Sequence, residues 1–256
     1  MKSTGRVRLE RATTADDGVA TLVLDDPSRR NTMGVAMYAA VPALIDEVNG
    51  DPDVRVLVVR GEGAAFGAGS DITEFRAHRL GDAHVHYDEV EHRATEALSS
   101  CRVPVVAAIR GTCMGGALGI ALAADLRYAA EDTQFSVPPG RLGVGYPLDA
   151  IDRLVATIGR AAAADLLLTA RRFGADEALR IGLVHDVVTV DRLADLVADR
   201  CAVIAALAPM TLRAARAALA GRPDAAALTD ACFHSVDLLE GITAFEESRE
   251  PSFGDR

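Results

Sequence analysis

Short apolar runs alternate with spaced apolar stripes along the first 190 residues of the chain. The run GVATLVLD at 18–25 reads as a strand, closed by the turn formers Asp25-Asp26-Pro27-Ser28. Met37, Val41, Leu44, Ile45 and Val48 then recur at helical spacing. Pro42 inside that stripe predicts a kink or the true helix start. VRVLVV at 54–59 is a buried strand by its β-branched content. Val90, Ala94, Ala97 and Leu98 mark a second helix, and 104–109 the next strand. A turn containing Gly111, Gly115 and Gly116 follows, then a helix of almost pure Ala, Leu and Ile that ends at Asp125. A short strand is expected at 126–129 and an irregular Gly- and Pro-rich stretch at 135–146. Ile151, Leu154, Val155 and Ile158 start a helix, a second covers 161–169, and 176–181 is a short one stopped by Gly182. The last strand signal lies at 183–188.

From Asp191 the pattern is helical throughout. Asp191 can cap a helix with Leu193, Leu196, Val197 and Ile204 on one face. Pro209 can open another with Leu212, Ala215 and Leu219. Asp224 can cap a third with Leu228, Cys232, Val236 and Leu239. The expected organisation is an α/β region over 1–190 and an all-helical region over 191–256. Those helical faces need something to pack against, either their own domain or a neighbouring subunit.

Composition narrows the function classes. Half of the 256 residues are apolar and only 4 % aromatic, so a large core of small and branched aliphatics is expected. The net charge of −10 argues against nucleic-acid binding, which needs a basic face. The four cysteines (101, 113, 201, 232) show no CxxC spacing and read as reduced thiols. His78, His84 and His86 lie in a polar stretch that reads as a solvated loop, with no cluster to complete a metal site. No apolar run approaches the ~18–20 residues of a membrane span. The polar start MKSTGRVRLERATTADDG shows no secretory signal, so the expected location is cytoplasmic.

Two glycine-rich turns carry the candidate chemistry. The first, Gly61 to Ile72, approximates a dinucleotide-binding fingerprint. Its G-x-G-x-x-x-G spacing is one residue too long, and the acidic residue expected after a second strand is missing. Ser70 is not framed by a G-x-S-x-G elbow. The second turn, at Gly111–116, opens directly into a helix. That geometry aims backbone N–H groups and the positive end of the helix dipole at one point. Such a point stabilises either a bound phosphate or a developing oxyanion.

FGAGSDI at 66–72, GTCMGGALGIALAADLRYAA at 111–130, QFSVPPGRLGVGY at 134–146, ARRFGADEALRIGLVHDVV at 170–188 and AFEESREPSF at 244–253 together resemble the crotonase (enoyl-CoA hydratase/isomerase) superfamily. The resemblance covers nearly the whole chain. It implies a right-handed spiral of ββα units whose helical carboxyl-terminal region builds trimers or hexamers. It implies an acyl-CoA thioester as substrate, with coenzyme A part of that substrate and no separate cofactor or metal. It implies an enolate held by the backbone N–H groups of Ser70 and Gly116, which selects the oxyanion over the phosphate. It places Arg29, Ala68, Ser70, Asp71, Ile72, Gly116 and Pro139 against the thioester or its coenzyme A portion. A lysine common near the family's carboxyl end is Ser248 here, with Arg249 beside it.

The chain departs from the family at the acid–base groups. The two glutamates of the family's hydratases fall at Gly119 and Pro139, and neither residue transfers a proton. Two-glutamate hydration is therefore not expected. Tyr146 and Asp149 are the candidate replacements, with Glu74 weaker and read as solvated. Tyr146 matches a tyrosine of decarboxylase-like members. Asp149 lies two residues beyond the nucleophilic position of dehalogenase-like members, which is Pro147 here, and can equally cap the following helix. Isomerisation or non-standard hydration, decarboxylation, thioester hydrolysis and a non-catalytic acyl-CoA-binding role all stay open at this level.

Overall fold

Main-chain pairing of the β-branched runs builds one sheet. In this computed structural model, which describes residues 5–11 and 18–255, six strands pair in the order β1 (Arg6–Arg11), β2 (Val19–Asp25), β3 (Val56–Gly61), β4 (Val105–Ile109), β6 (Leu126–Ala130) and β9 (Asp186–Val188). Only β1 and β2 are antiparallel, with Val7 opposite Leu24. The remaining pairs are parallel. A small second sheet joins β5 (Thr112–Met114), β7 (Gln134–Ser136) and β8 (Arg172–Gly174). Single bridges, Met33 to Ser70 and Gly67 to Cys113, carry pairing into the loops that precede α1 and follow β3.

Parallel strands need crossovers, and helices supply them. These are α1 (Val35–Gly50), α2 (Phe75–His78), α3 (Ala83–Ser99) and α4 (Gly115–Leu122). One face of the main sheet contributes Leu22, Leu24, Leu57, Val59, Ala107 and Ile109 to the larger core, with α1, α3 and α4 packed against it. Pro42 marks no helix start, since α1 begins at Val35. The 76–86 stretch is not a loop: it forms α2 and the first turn of α3, and its three histidines are exposed.

After β9 the described residues are helical. The two helices read over 151–169 are the halves of α5 (Leu148–Thr169), interrupted at Gly159, whose φ of 75° only glycine adopts readily. A short α6 (Ala175–Arg180) follows β8. The strand read at 183–188 forms only at its end, 186–188. Asp191 does not cap α7 (Leu193–Ala205); it lies inside the tight turn that leads into it. The third tail helix is two, α9 (Ala225–Cys232) and α10 (Val236–Glu247), because the Ser235 side chain accepts from the Leu238 N–H and caps a new start.

The tail packs partly on its own domain. Leu193, Val197 and Cys201 of α7 cover the other face of the sheet at Val56, Val58, Val106 and Tyr128. Arg216 of α8 (Pro209–Leu219) reaches Asp125 at 2.7 Å and the Ser99 carbonyl at 3.2 Å. Asp255 is clamped by Arg213 at 2.6 and 2.8 Å. Leu22 sits fully buried at the centre of the larger core. Leu22→Ala is expected to cost about 2–5 kcal/mol. It should appear as a lower urea midpoint with an unchanged slope.

Candidate active site

The site is assembled by side chains that spend their hydrogen bonds on loops. Asn31 is buried, with its backbone in the left-handed region. Its amide nitrogen donates to the carbonyls of Glu62 and Ala65 at 2.9 and 2.6 Å, and its oxygen accepts from the Asp26 N–H at 2.9 Å. This pins the loop before α1 to the glycine-rich loop after β3. Glu74, read as solvated, instead accepts from the Val35 N–H at 2.8 Å. It supplies the cap that Gly34 lacks the side chain to provide.

The 67–70 segment is then held from both sides. The Met33 N–H donates to the Gly69 carbonyl and the Asp71 N–H to the Met33 carbonyl, each at 2.8 Å. In a parallel bridge of this kind the N–H of the intervening residue, Ser70, points away from Met33. Gly67 donates to Thr112 at 2.8 Å and accepts from Met114 at 3.1 Å. Gly69 holds φ at +99°, and a Cβ there would come within 3.0 Å of the Met114 carbonyl. Gly116 is the second residue of α4, where the N–H has no intrahelical acceptor. Among the described residues neither the Ser70 N–H nor the Gly116 N–H has a hydrogen-bond acceptor. A Cβ on Gly116 would overlap the Tyr38 hydroxyl and lie 2.6 Å from Ser70 Oγ and 2.9 Å from Glu91 Oε1.

Ser70 and Gly116 both line one cleft with mainly apolar walls. Of the residues expected at the site, Ala68, Ser70, Ile72, Gly116, Pro139 and Tyr146 line it together. Arg29 and Asp71 do not. They form a two-pronged ion pair at 2.6 and 2.7 Å outside the cleft lining, and Asp71 also accepts from the Thr73 N–H and hydroxyl. The Arg29 guanidinium, with those bonds, holds the Asp71 carboxyl at about 2. Asp149 is in the first turn of α5, with Pro147 at the cap position. Its carboxylate meets His92 Nδ1 at 2.8 Å in a smaller adjoining cavity that also borders Gly119, Glu91 and Tyr146. Arg249 is engaged by Glu240 at 2.6 and 2.9 Å.

Glu91 is the cleft residue that sequence reading passed over. It lies four residues after Tyr87 and four before Thr95, both buried, and so belongs to the inward stripe of α3. The apolar stripe of Val90, Ala94 and Leu98 gave that signal, but a carboxylate was not counted on it. Glu91 Oε2 is buried without a hydrogen-bond partner, and the closest cation, Arg79, stands 3.6 Å away. Burial raises its carboxyl to about 7, against the pull of Arg79. Arg79 is itself stacked over the Phe75 and Tyr87 rings and bonded to Asp88 at 3.1 Å. Burial pushes the Tyr146 phenol well above its ordinary value, and the Glu91 charge adds to this. Its hydroxyl therefore keeps its proton at neutral pH.

Residues 14–256 match the family model for enoyl-CoA hydratase/isomerase. The chain belongs to the enoyl-CoA hydratase/isomerase family. It is 33 % identical over 254 residues to a probable enoyl-CoA hydratase, echA8, of Mycobacterium tuberculosis, covering 94 % of this chain and 96 % of that protein. It is 30 % identical over 259 residues to a peroxisomal Δ(3,5)-Δ(2,4)-dienoyl-CoA isomerase of Arabidopsis thaliana, covering 93 % of each. The crystal structure of a family protein from Hyphomonas neptunium superposes with a TM-score of 0.92 at 35 % identity over 98 % of both chains. Within this enoyl-CoA hydratase/isomerase family member, Gly119 leaves open space: a Cβ there would meet nothing within 4 Å. Pro139 forms part of the cleft wall.

The depressed Asp71 carboxyl has a defined pH signature. A folded-state pKa below the ordinary 3.8 adds stability above that value, and the gain is lost as pH falls toward 2. The shift corresponds to about 2 kcal/mol. Asp71→Asn should lower urea-measured stability by about that amount at neutral pH, with the difference from wild type narrowing between pH ~4 and ~2.

Proposed function

We propose that this protein acts on acyl-CoA thioesters and stabilises the thioester enolate between the Ser70 and Gly116 N–H groups. The observation that carries the reading is the pair of unused donors facing one apolar cleft. A thioester oxygen placed between them gains two hydrogen bonds as negative charge develops on it, in a site that excludes water. The names of the relatives, a hydratase and a dienoyl isomerase, support a thioester substrate. The apolar wall suits an acyl chain. Tyr146, protonated and on the same cleft, serves as a hydrogen-bond donor to the bound acyl group. Asp149, engaged by His92 in the adjoining cavity, acts at most through that cavity. Arg29 supports coenzyme A binding indirectly, by fixing the Asp71 loop.

The exposed apolar face of the tail supports assembly as a homotrimer or a pair of trimers. Phe233 is 68 % and Phe245 87 % exposed, and Val236, Leu239 and Ile242 are exposed beside them. A face of this kind marks an interaction surface. Sedimentation at micromolar concentration should give three or six times the 26.9 kDa of one chain; a monomer defeats this part of the proposal.

Calorimetry with a panel of saturated and unsaturated acyl-CoA thioesters, run beside turnover assays, tests the main reading. Binding with turnover is expected. Tight binding without product from any thioester would leave a binding protein, and no binding would defeat the reading. Gly116→Ala forces a methyl against the Tyr38 hydroxyl and displaces one donor. It should lower kcat by about 100-fold or more, since loss of one such donor costs ~10²–10³. Tyr146→Phe should keep thioester affinity and lower turnover.

A further inference from the structure

We propose that Glu91 is the proton-transferring group of this site, in place of the carboxylates that Gly119 and Pro139 do not supply. The inference rests on the acyl-CoA reading above and deepens it. It begins with elimination among the groups on the cleft. Glu91 is the one carboxylate lining it among the described residues. Arg79 is the one cation, and a guanidinium does not release its proton. Ser70 Oγ is 3.0 Å from the Tyr38 hydroxyl, and Tyr146 holds its proton too firmly to accept another. Glu91 alone remains able to take a proton and give it back.

Geometry supports the assignment. Glu91 Oε1 lies 2.9 Å and Ser70 Oγ 2.6 Å from where a Cβ on Gly116 would stand, so the carboxylate sits against both residues that carry the proposed donors. Oε2 is buried with no hydrogen bond, its nearest charged partner being Arg79 at 3.6 Å. Glu91 also lines the adjoining cavity beside the open space at Gly119. A buried carboxylate that makes no hydrogen bond at Oε2 is costly for folding. A base whose pKa lies near the working pH is the most effective proton carrier, and burial brings Glu91 to about 7.

The step balances within the substrate and one side chain. Glu91 removes a proton from the carbon next to the thioester carbonyl, and the C–H electron pair moves into the enolate held by Ser70 and Gly116. The dienolate then takes a proton back from the Glu91 carboxyl, which exchanges with solvent between the two steps, at the carbon two positions further along, and the double bond migrates. No water, oxidant or second carboxylate is consumed.

The test is proton exchange in deuterium oxide, with 3-hexenoyl-CoA and 3-decenoyl-CoA as probes and mass spectrometry as readout. Wild-type protein should incorporate deuterium into the acyl chain and shift its double bond. The rate should rise with pH to a plateau, with its midpoint near 7. The groups that face Glu91 and set that midpoint are Arg79 from the end of α2, Asp88 and Tyr87 of α3, Tyr38 of α1, and Tyr146 and the His92-paired Asp149 near the start of α5. Glu91→Gln should lower exchange at least about 100-fold, while the Kd for octanoyl-CoA stays within about threefold. Glu91→Asp keeps the carboxyl but draws it back by one methylene. It should show an intermediate rate and retain a pH inflection, which guards against a misfolded glutamine variant. Exchange by Glu91→Gln at more than a third of the wild-type rate overturns the proposal. So does a wild-type protein that binds the thioesters and exchanges no proton. A wild-type protein that binds no thioester defeats the acyl-CoA reading itself and this inference with it.

Discussion

The bridge between Met33 and Ser70 is the contact on which the site depends. By taking the Gly69 carbonyl and the Asp71 N–H, Met33 leaves the Ser70 N–H with no partner on that side. The Gly116 N–H is uncommitted because the second position of a helix has no carbonyl to bond. Both donors are thus set by backbone connectivity. They do not depend on the rotamer of any side chain, so in the proposed reaction they would need no reorganisation as charge develops. Asn31 and the Arg29–Asp71 pair secure the same loops from behind.

The parts of this arrangement that hydrophobic burial dictates could be read from the chain. β2, β3, β4 and β6, the stripe of α1 and the break at Gly159 follow from periodicity and from turn residues. The expectation that two glycine turns share one site came from the family resemblance instead; Gly69 and Gly116 are positions where a side chain has no room. What escaped was settled by distant partners. Glu74 looks like any surface carboxylate until Val35 arrives from 39 residues away. The start of α3 at 83–86 reads as a loop because three of its four side chains are exposed. β1 was missed because its outward residues are held by ion pairs to Asp25, Glu62 and Arg60 that no local pattern announces.

Glu91 escaped for a different reason. Helix reading sorts residues into apolar stripe and polar face, and a carboxylate on the apolar stripe is scored as noise. The environment that raises Glu91 is the one that conceals it: aromatic rings on α1, α2 and α3 exclude water, and the one nearby cation is held at 3.6 Å by its own stacking on Phe75 and Tyr87. If Arg79 closed on Glu91, the carboxyl would ionise permanently; if it were absent, the group would stay neutral. The aromatic shelf under Arg79 keeps the balance between those limits.

The charged edge strand has a consequence for how copies of this chain can meet. β1 presents Arg6, Arg8 and Glu10 along one margin of the main sheet, and the opposite margin is the three-residue β9. A charged border and a very short one both discourage another sheet from adding on by strand pairing. The wide parallel sheet, rich in valine and leucine, is thereby kept from templating fibrous growth. Among the described surfaces, that leaves the helical faces for the assembly proposed above.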